Sequence, residues 1–539
     1  MKANYRLALL SAFLLWFAWP PVPFTAWILL FALLPLLQAI ENIINSDKQK
    51  KGKLIWRTAF LCFFVWNTAS IYWVFNSLNA VMPLGVALII SLIPFGLGAF
   101  LMTISLWLYY RLRLVSSRLL SYVGLICFWI AYEYLHQSWD LAFPWMNLGN
   151  GFAEAHYLVQ WYEYTGVYGG TLWVLLSNIL VFEIWRRIRT GSDKRKILIL
   201  SASEAALILI PVTVSLIIYF GYTEKSNPAN VVVVQPNIDP YEKFGKLSAA
   251  DQIDRLIILS DSVAQNNTEY IIWPETAISR ATEEKSFRGD ENFIRIQNFM
   301  NRYKNGNLIS GIESFALYDT AQTETARLDP STGQYFDVFN AAVLIENSGT
   351  LQFYHKSKLV PGVEQTPFSN SLSFLKPVFA AFGGSSGSYG KQSKPSVFYS
   401  QTGIGSAPVI CYESIWGEYV AEYIKQDAQF IAIITNDGWW GNTSGKDQHL
   451  QYAKLRAIET RRWVARSANT GISAFINQKG DIVKRSLWWK STAIKQDINL
   501  NTGLTFYVKH GDYLAKAGSA GSGIFVVLLL TAFFKRKYK

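Results

Sequence analysis

Cysteine is nearly absent from this chain: three residues in 539, with only five methionines and five histidines. Three thiols cannot build a disulfide framework, and neither Cys nor His falls at the spacings of a zinc site. His355 and His449 have no neighbouring Cys or Asp at metal-ligand spacing, so no metal is expected. No glycine-rich phosphate loop, internal repeat or low-complexity tract occurs. Lys and Arg are missing from four long stretches, between Arg6 and Lys48, Arg57 and Arg111, Arg118 and Arg186, and Lys196 and Lys225. A charge at the bilayer centre costs about 2.5–3.5 kcal/mol on insertion scales, so these gaps are where membrane spans can lie.

What fills the gaps is apolar. Runs rich in Leu, Phe, Ile and Trp place spans near 5–20, 23–40, 54–75, 83–109, 119–135, 165–185, 197–220 and 518–534, each near the ~20 residues needed to cross the hydrocarbon. The first lacks a small-residue cleavage site and reads as an uncleaved anchor. The net charge of +12 has a location. Residues 1–220 and 518–539 hold 20 Lys and Arg against 9 Asp and Glu, whereas 221–517 holds 30 against 29. The basic excess therefore belongs to the apolar part, and nucleic-acid binding has no support. The cations cluster at Lys2 and Arg6 and in 46–53, 111–118, 186–196 and 535–539, while 76–82 and 136–164 have none. With eight spans the positive-inside rule puts those clusters and both termini in the cytoplasm and residues 221–517 outside it. The expected domains are 1–220 with seven transmembrane helices, a water-soluble domain over 221–517, and a last helix with its basic tail over 518–539.

Residues 221–517 read as an ordinary α/β domain. Strands are expected at 230–237, 270–276, 307–314 and 407–414, and again at 430–440. Helices are expected at 252–265, 414–426 and 449–469, with hairpins over 341–361 and 471–486. Cys62 and Cys127 fall inside spans, which leaves Cys411 as a lone thiol outside the cytoplasm, where oxidation makes inert filling an uncomfortable role. Glu275, Lys356 and Cys411 all sit at strand ends, where α/β sites gather. The start of the helix at 414–426 and the Lys356 ammonium are expected to lower the Cys411 pKa, and Glu275 can take the thiol proton.

The blocks "IIWPETAI", "YHKSKLVPGVE", "VICYES" and "TNDGWWG" resemble the Glu, Lys, Cys and Asn-Asp-x-Trp blocks of the nitrilase (carbon–nitrogen hydrolase) superfamily, in that family's order. With the flanking spans and "FPWMNLGN" (143–150), the pattern is similar to the apolipoprotein N-acyltransferase family over essentially the whole chain. The resemblance implies an α-helical membrane bundle of about eight transmembrane helices plus a nitrilase-like αββα sandwich outside the cytoplasm. It implies Cys411 as nucleophile, Glu275 as general base and Lys356 as the cation facing the tetrahedral oxyanion. Glu364, Tyr412 and Glu413 would support them, and Phe244, Trp145, Trp439 and Trp440 would contact substrate. Trp145 also reads as an interface-belt residue, and of the Trp439–Trp440 pair one is expected in the core and the other at the site mouth. Where the family carries "PFGE", this chain reads "PGVE" (361–364), so the direction of Glu364 depends on the local turn.

The implied reaction moves an acyl chain from a phospholipid, phosphatidylethanolamine in the family, through a Cys411 thioester. The acceptor is the amine of a diacylglyceryl-cysteine apolipoprotein, and no cofactor is required. A monomer in the bacterial inner membrane is expected, its catalytic domain periplasmic, with residues 362–400 as a lid. The alternative is a membrane-anchored amidase passing the acyl group to water.

Overall fold

Apolar runs of the lengths noted above fold as helices. The computed structural model describes residues 1–191, 193–243, 247–368 and 388–537, and its contacts divide between two units. One joins Met1–Gly221 to His510–Lys539, and the other is Tyr222–Lys509. Phe244 and most of the expected lid, 369–387, lie outside the described residues.

In the first unit, six helices among the described residues are long and apolar enough to cross a membrane: Ala26–Ile44, Leu84–Arg113, Arg118–His136, Val167–Arg189, Lys194–Gly221 and Tyr513–Lys535. The pair Lys51–Ser70 and Trp73–Asn79, bent by 60°, makes a seventh if counted as one span. Lys2–Phe17 has 16 residues, about 24 Å at 1.5 Å per residue. The last helix begins at Tyr513, ahead of the 518 expected. Helices Lys194–Gly221 and Tyr513–Lys537 leave apolar side chains such as Leu198, Ile217 and Ile524 exposed, as lipid-facing helices do.

Several buried charged groups inside this unit are paired. Arg118 bridges Glu41 at 2.5 Å and Glu183 at 3.3 Å. Glu133 is fully buried and accepts from Trp129 Nε1 (3.0 Å), the Leu148 amide (2.9 Å) and the Thr171 hydroxyl (2.8 Å), which fixes the loop around 144–152. Trp145 in that loop is 0% exposed and packs on Trp73, with ring centroids 4.8 Å apart. The interface-belt expectation for Trp145 is thereby corrected: the loop folds inward and buries its aromatic ring.

The second unit carries two sheets. The first contains β1 (Pro228–Gln235), β2 (Thr268–Ile272), β3 (Ile278–Glu283), β4 (Asn307–Tyr318), β5 (Arg327–Leu328), β6 (Tyr335–Glu346) and β7 (Leu351–His355). The second contains β8 (Phe398–Tyr399), β9 (Gly405–Ile410), β10 (Phe430–Thr435), β11 (Val464–Ala468), β12 (Ala474–Ile476) and β13 (Ile482–Arg485). The chain then returns to the first sheet as β14 (Thr492–Asn499). The strand orders are β14-β1-β2-β4-β6-β5, with β3 on β4 and β7 on β6, and β13-β12-β11-β10-β9-β8.

Strands β1, β2 and β4 run parallel, as do β9, β10 and β11, and their fully buried apolar runs are those of sheets covered on both faces. The sheets meet face to face. The Tyr270 ring lies 5.1 Å from that of Phe430, and the Ser467 hydroxyl donates to the Val234 carbonyl at 2.7 Å. Helices Ala249–Asp261 and Glu291–Met300 cover the first sheet through Ile253, Leu256, Ile296 and Phe299. Helices Gly417–Lys425 and Ser444–Thr460 cover the second.

One expected helix is corrected. The run 449–469 ends as a helix at Thr460, Arg461 turns left-handed with φ +51°, and 464–468 becomes β11 beside β10. The side chain of Arg462 seals the break, donating to the carbonyls of Ala428 and Gly503.

Candidate active site

Three loops at strand ends bring the expected residues together. Beyond β2, the Trp273 amide donates to Ile309 O (2.8 Å) and the Gly311 amide to Pro274 O (3.1 Å), so the chain hugs β4. At Gly311 a Cβ would stand 2.3 Å from Thr276 N and 2.6 Å from Glu275 Cα; only glycine admits this approach. Thr276 turns left-handed (φ +48°). The buried Lys243 ammonium holds the turn, donating to the Thr276 hydroxyl at 2.7 Å and to Glu275 O at 3.2 Å. Burial pulls the Lys243 pKa down to about 7, against the attraction of Glu275 and Glu313.

Lys356 follows β7, its amide tied to Asn340 O at 2.9 Å. Its ammonium, 1% exposed, lies 3.2 Å from Glu275 Oε1 and 2.8 Å from Glu364 Oε1. Asn340 Nδ2 donates to the same two oxygens, at 2.9 and 2.8 Å. Both carboxylates are thus presented edge-on to one cation. The "PGVE" turn works because Gly362 takes φ +79°, and Glu364 Oε2 accepts the Val360 amide at 2.8 Å. Burial opposes the Lys356 charge, but Glu275 and Glu364 outweigh it and hold the ammonium well above its ordinary range.

Cys411 stands where β9 breaks into the short turn Cys411–Ile415, with φ +49°. A left-handed non-glycine residue costs about 1–3 kcal/mol and persists only where its surroundings fix it. Glu413 is one such anchor. Its Oε2 accepts the Ile410 amide at 2.9 Å. Its Oε1 accepts the Tyr354 hydroxyl at 2.6 Å and the Ser357 and Lys358 amides at 2.7 and 3.2 Å. One carboxylate therefore ties the segment after Lys356 to the cysteine turn. Tyr412 is buried edge-on against Trp416 at 4.8 Å.

The expected lowering of the Cys411 pKa is overturned. Burial raises the thiol, Glu275 and Asp437 add to the rise, and the opposition of Lys356 is insufficient. The thiol rests protonated, and it needs a base when it attacks.

Trp439 is 37% exposed and meets Tyr241 edge-on at 5.0 Å, whereas Trp440 packs on His449 at 5.3 Å. Asn340 and Lys243 were not among the sequence-derived candidates. Asn340 lies mid-strand and Lys243 in a loop, and neither carries a local signal. Among the described residues no cluster of three or more His, Cys, Asp or Glu is placed to hold a metal.

Comparison with known proteins gives the chain a family. The family described as carbon-nitrogen hydrolase matches residues 230–505, just over half of the chain, and the chain belongs to that family. The description "Apolipoprotein N-acyltransferase N-terminal domain" matches residues 11–180. Over nearly full length the chain is similar to the apolipoprotein N-acyltransferase of Chlorobaculum tepidum, 28% identical over 99% of this chain and 98% of that one. The protein of the same name from Geobacter metallireducens is 25% identical over 99% and 96%. Among solved structures, Nit3 of Saccharomyces cerevisiae is 15% identical, with a TM-score of 0.36 over 51% of this chain and 91% of that one. An amidase from Nesterenkonia sp. is 13% identical, with a TM-score of 0.36 over 55% and 98%.

Proposed function

We propose that the chain is an apolipoprotein N-acyltransferase working through a Cys411 thioester. The observation that carries this reading is the convergence of Glu275, Lys356 and Cys411 in a unit bracketed by apolar helices at both ends. In the first half-reaction the Cys411 sulfur attacks the acyl ester carbonyl of a phospholipid, phosphatidylethanolamine being the expected donor. Glu275 takes the thiol proton as the S–C bond forms. The oxyanion faces the Lys356 ammonium, a fixed cation in a water-poor site, and such groups contribute about 3–4 kcal/mol in comparable cases.

Collapse expels the lysophospholipid alkoxide, which receives the proton from Glu275. In the second half-reaction the amine of a diacylglyceryl-cysteine attacks the thioester and passes its proton to Glu275. The amide leaves, and the proton returns to Cys411. Glu364 and Asn340 keep Lys356 aimed between the carboxylates, and Trp439 lies at the mouth where acyl chains enter.

The distribution of Lys and Arg supports eight crossings, Lys2–Phe17 included, with both termini in the cytoplasm and Tyr222–Lys509 in the periplasm of a bacterial inner membrane. A monomer suffices, since Glu275, Lys356 and Cys411 come from one chain.

Incubation with phospholipid followed by digestion should give a Cys411 peptide heavier by one acyl chain, and a diacylated lipopeptide should then gain that chain. Free fatty acid in place of acylated lipopeptide would overturn the transfer reading in favour of hydrolysis. For orientation, a membrane-impermeant maleimide should label a Thr320→Cys variant in intact cells and a Lys50→Cys variant only after permeabilisation.

A further inference from the structure

Behind the cysteine turn lies a second polar chain that the acyl-transfer steps leave unused. Asp437, His449, Arg466 and Ser414 are each no more than 1% exposed. Asp437 Oδ1 is 2.9 Å from His449 Nδ1 and accepts the Thr435 hydroxyl at 2.9 Å. Its Oδ2 accepts Arg466 Nη2 at 2.6 Å, and Arg466 Nη1 is anchored on Ile472 O at 2.6 Å. At the other end of the imidazole, Nε2 is 2.9 Å from Ser414 Oγ and 3.3 Å from Cys411 O.

Proton counting gives the chain a direction. Cys411 O can only accept, and the Ser414 hydroxyl donates its single proton there at 2.8 Å. Ser414 Oγ therefore accepts from His449 Nε2–H. Nδ1 faces the Asp437 carboxylate, which Arg466 and His449 hold far below its ordinary range despite burial. Arg466 Nη2, with two N–H bonds, lies 3.0 Å from the same nitrogen and 2.6 Å from Asp437 Oδ2. The imidazole donates through Nε2 and is held at Nδ1 between Asp437 and Arg466, and the chain ends on the carbonyl of the left-handed residue itself.

We propose that His449 is a positioning residue: the Asp437–His449–Ser414 chain fixes the Cys411 carbonyl and thereby the turn that aims the thiol at Glu275 and Lys356. Glu413 holds the Val409–Ile410 peptide through the Ile410 amide, one residue ahead of the cysteine, and this chain holds the peptide that follows Cys411 through its carbonyl. The backbone is then tied on both sides of the cysteine, which restricts where the Sγ can point. The inference rests on the reading of Cys411 as nucleophile and is independent of which acyl acceptor is used.

The test uses the full-length protein in lipid nanodiscs, with His449→Gln and Ser414→Ala variants. Four quantities are read: the rate of Cys411 alkylation by iodoacetamide, resolved by peptide mass; kcat and KM for acyl transfer; and Tm. Misplacement of a reacting group by about 1 Å costs up to ~100-fold. On that scale His449→Gln should lower alkylation rate and kcat at least about tenfold, with KM within about twofold. Ser414→Ala should lower both by about threefold or more, with Tm close to wild type. His449→Leu, which offers no N–H to Ser414, should be worse than His449→Gln. If His449→Gln fails to fold, Ser414→Ala decides alone. Wild-type alkylation and kcat in Ser414→Ala, or losses that only track the unfolded fraction, overturn the proposal. Slower alkylation of the variants where the wild type transfers no acyl group would sustain the clamp and sink the acyltransferase reading.

Discussion

Lys356 is paired more closely with Glu364, at 2.8 Å, than with the base Glu275, at 3.2 Å. A single carboxylate beside this ammonium would draw it into a closed ion pair and quench the base. The second carboxylate holds it to one side. In Glu364→Gln the amide can still accept from Asn340, but its NH2 then opposes the Val360 amide, and an unsatisfied buried donor costs about 1–3 kcal/mol. Thioester formation in a single turnover should fall roughly 100-fold, with Tm lowered and donor KM little changed.

The raised Cys411 pKa predicts an unusual reactivity profile. An activated thiolate reaches its alkylation plateau at or below neutrality. Here burial and Glu275 favour the thiol, so the iodoacetamide rate at Cys411 should keep climbing through pH 9 without a plateau. Removing the opposing cation in Lys356→Met should slow it further at every pH. A plateau near pH 7 in the wild type would mean that Lys356 dominates after all.

The chemistry of this site was more legible than its geometry. "IIWPET", "HKSK" and "ICYES" place reactive side chains just past β-branched runs, and strand ends are where such residues converge. Gaps in Lys and Arg located the apolar helices for the same kind of reason, because the bilayer penalises charge everywhere along a span. What stayed hidden depends on contacts distant in sequence. Asn340 matters only because β6 lies beside β7 and across from the Glu275 turn. Trp145 looked like a belt aromatic until Glu133 drew its loop inward. The run 449–469 keeps helical spacing beyond Thr460, and only pairing of Val464 and Ala465 with β10 makes its end a strand. The Cys411 pKa was misjudged because a sequence shows the nearby cation but not the depth of burial.

Gly311 offers a purely steric test. Its missing side chain lets the Glu275–Thr276 backbone lie against β4, and the obstructing atoms are backbone, so no side chain can swing away. Gly311→Ala should displace the base, cost about 1–3 kcal/mol of stability by overpacking, and reduce acyl transfer by about 100-fold. Melting and single-turnover acylation measured on one preparation check both parts. Near-normal activity would show that the Glu275 position tolerates more movement than these distances imply.

Lys243 supplies a pH-dependent test. Burial lowers its pKa from 10.5 to about 7 in the folded protein. Between those values the unfolded chain binds more protons than the folded one, so stability must rise with pH across that window. The penalty for burying the ammonium is complete below about pH 7 and absent above 10.5. A Lys243→Met variant lacks the penalty, but it also loses the donor to Glu275 O and Thr276. At pH 9.5 that loss dominates, and the variant should melt well below wild type. As pH falls to 6.5 the wild type becomes progressively handicapped, so the gap should narrow or reverse. A gap that stays constant from pH 6.5 to 9.5 would place the ammonium in ordinary solvent contact. Acyl transfer by Lys243→Met should be impaired throughout, because the turn carrying Glu275 is no longer held.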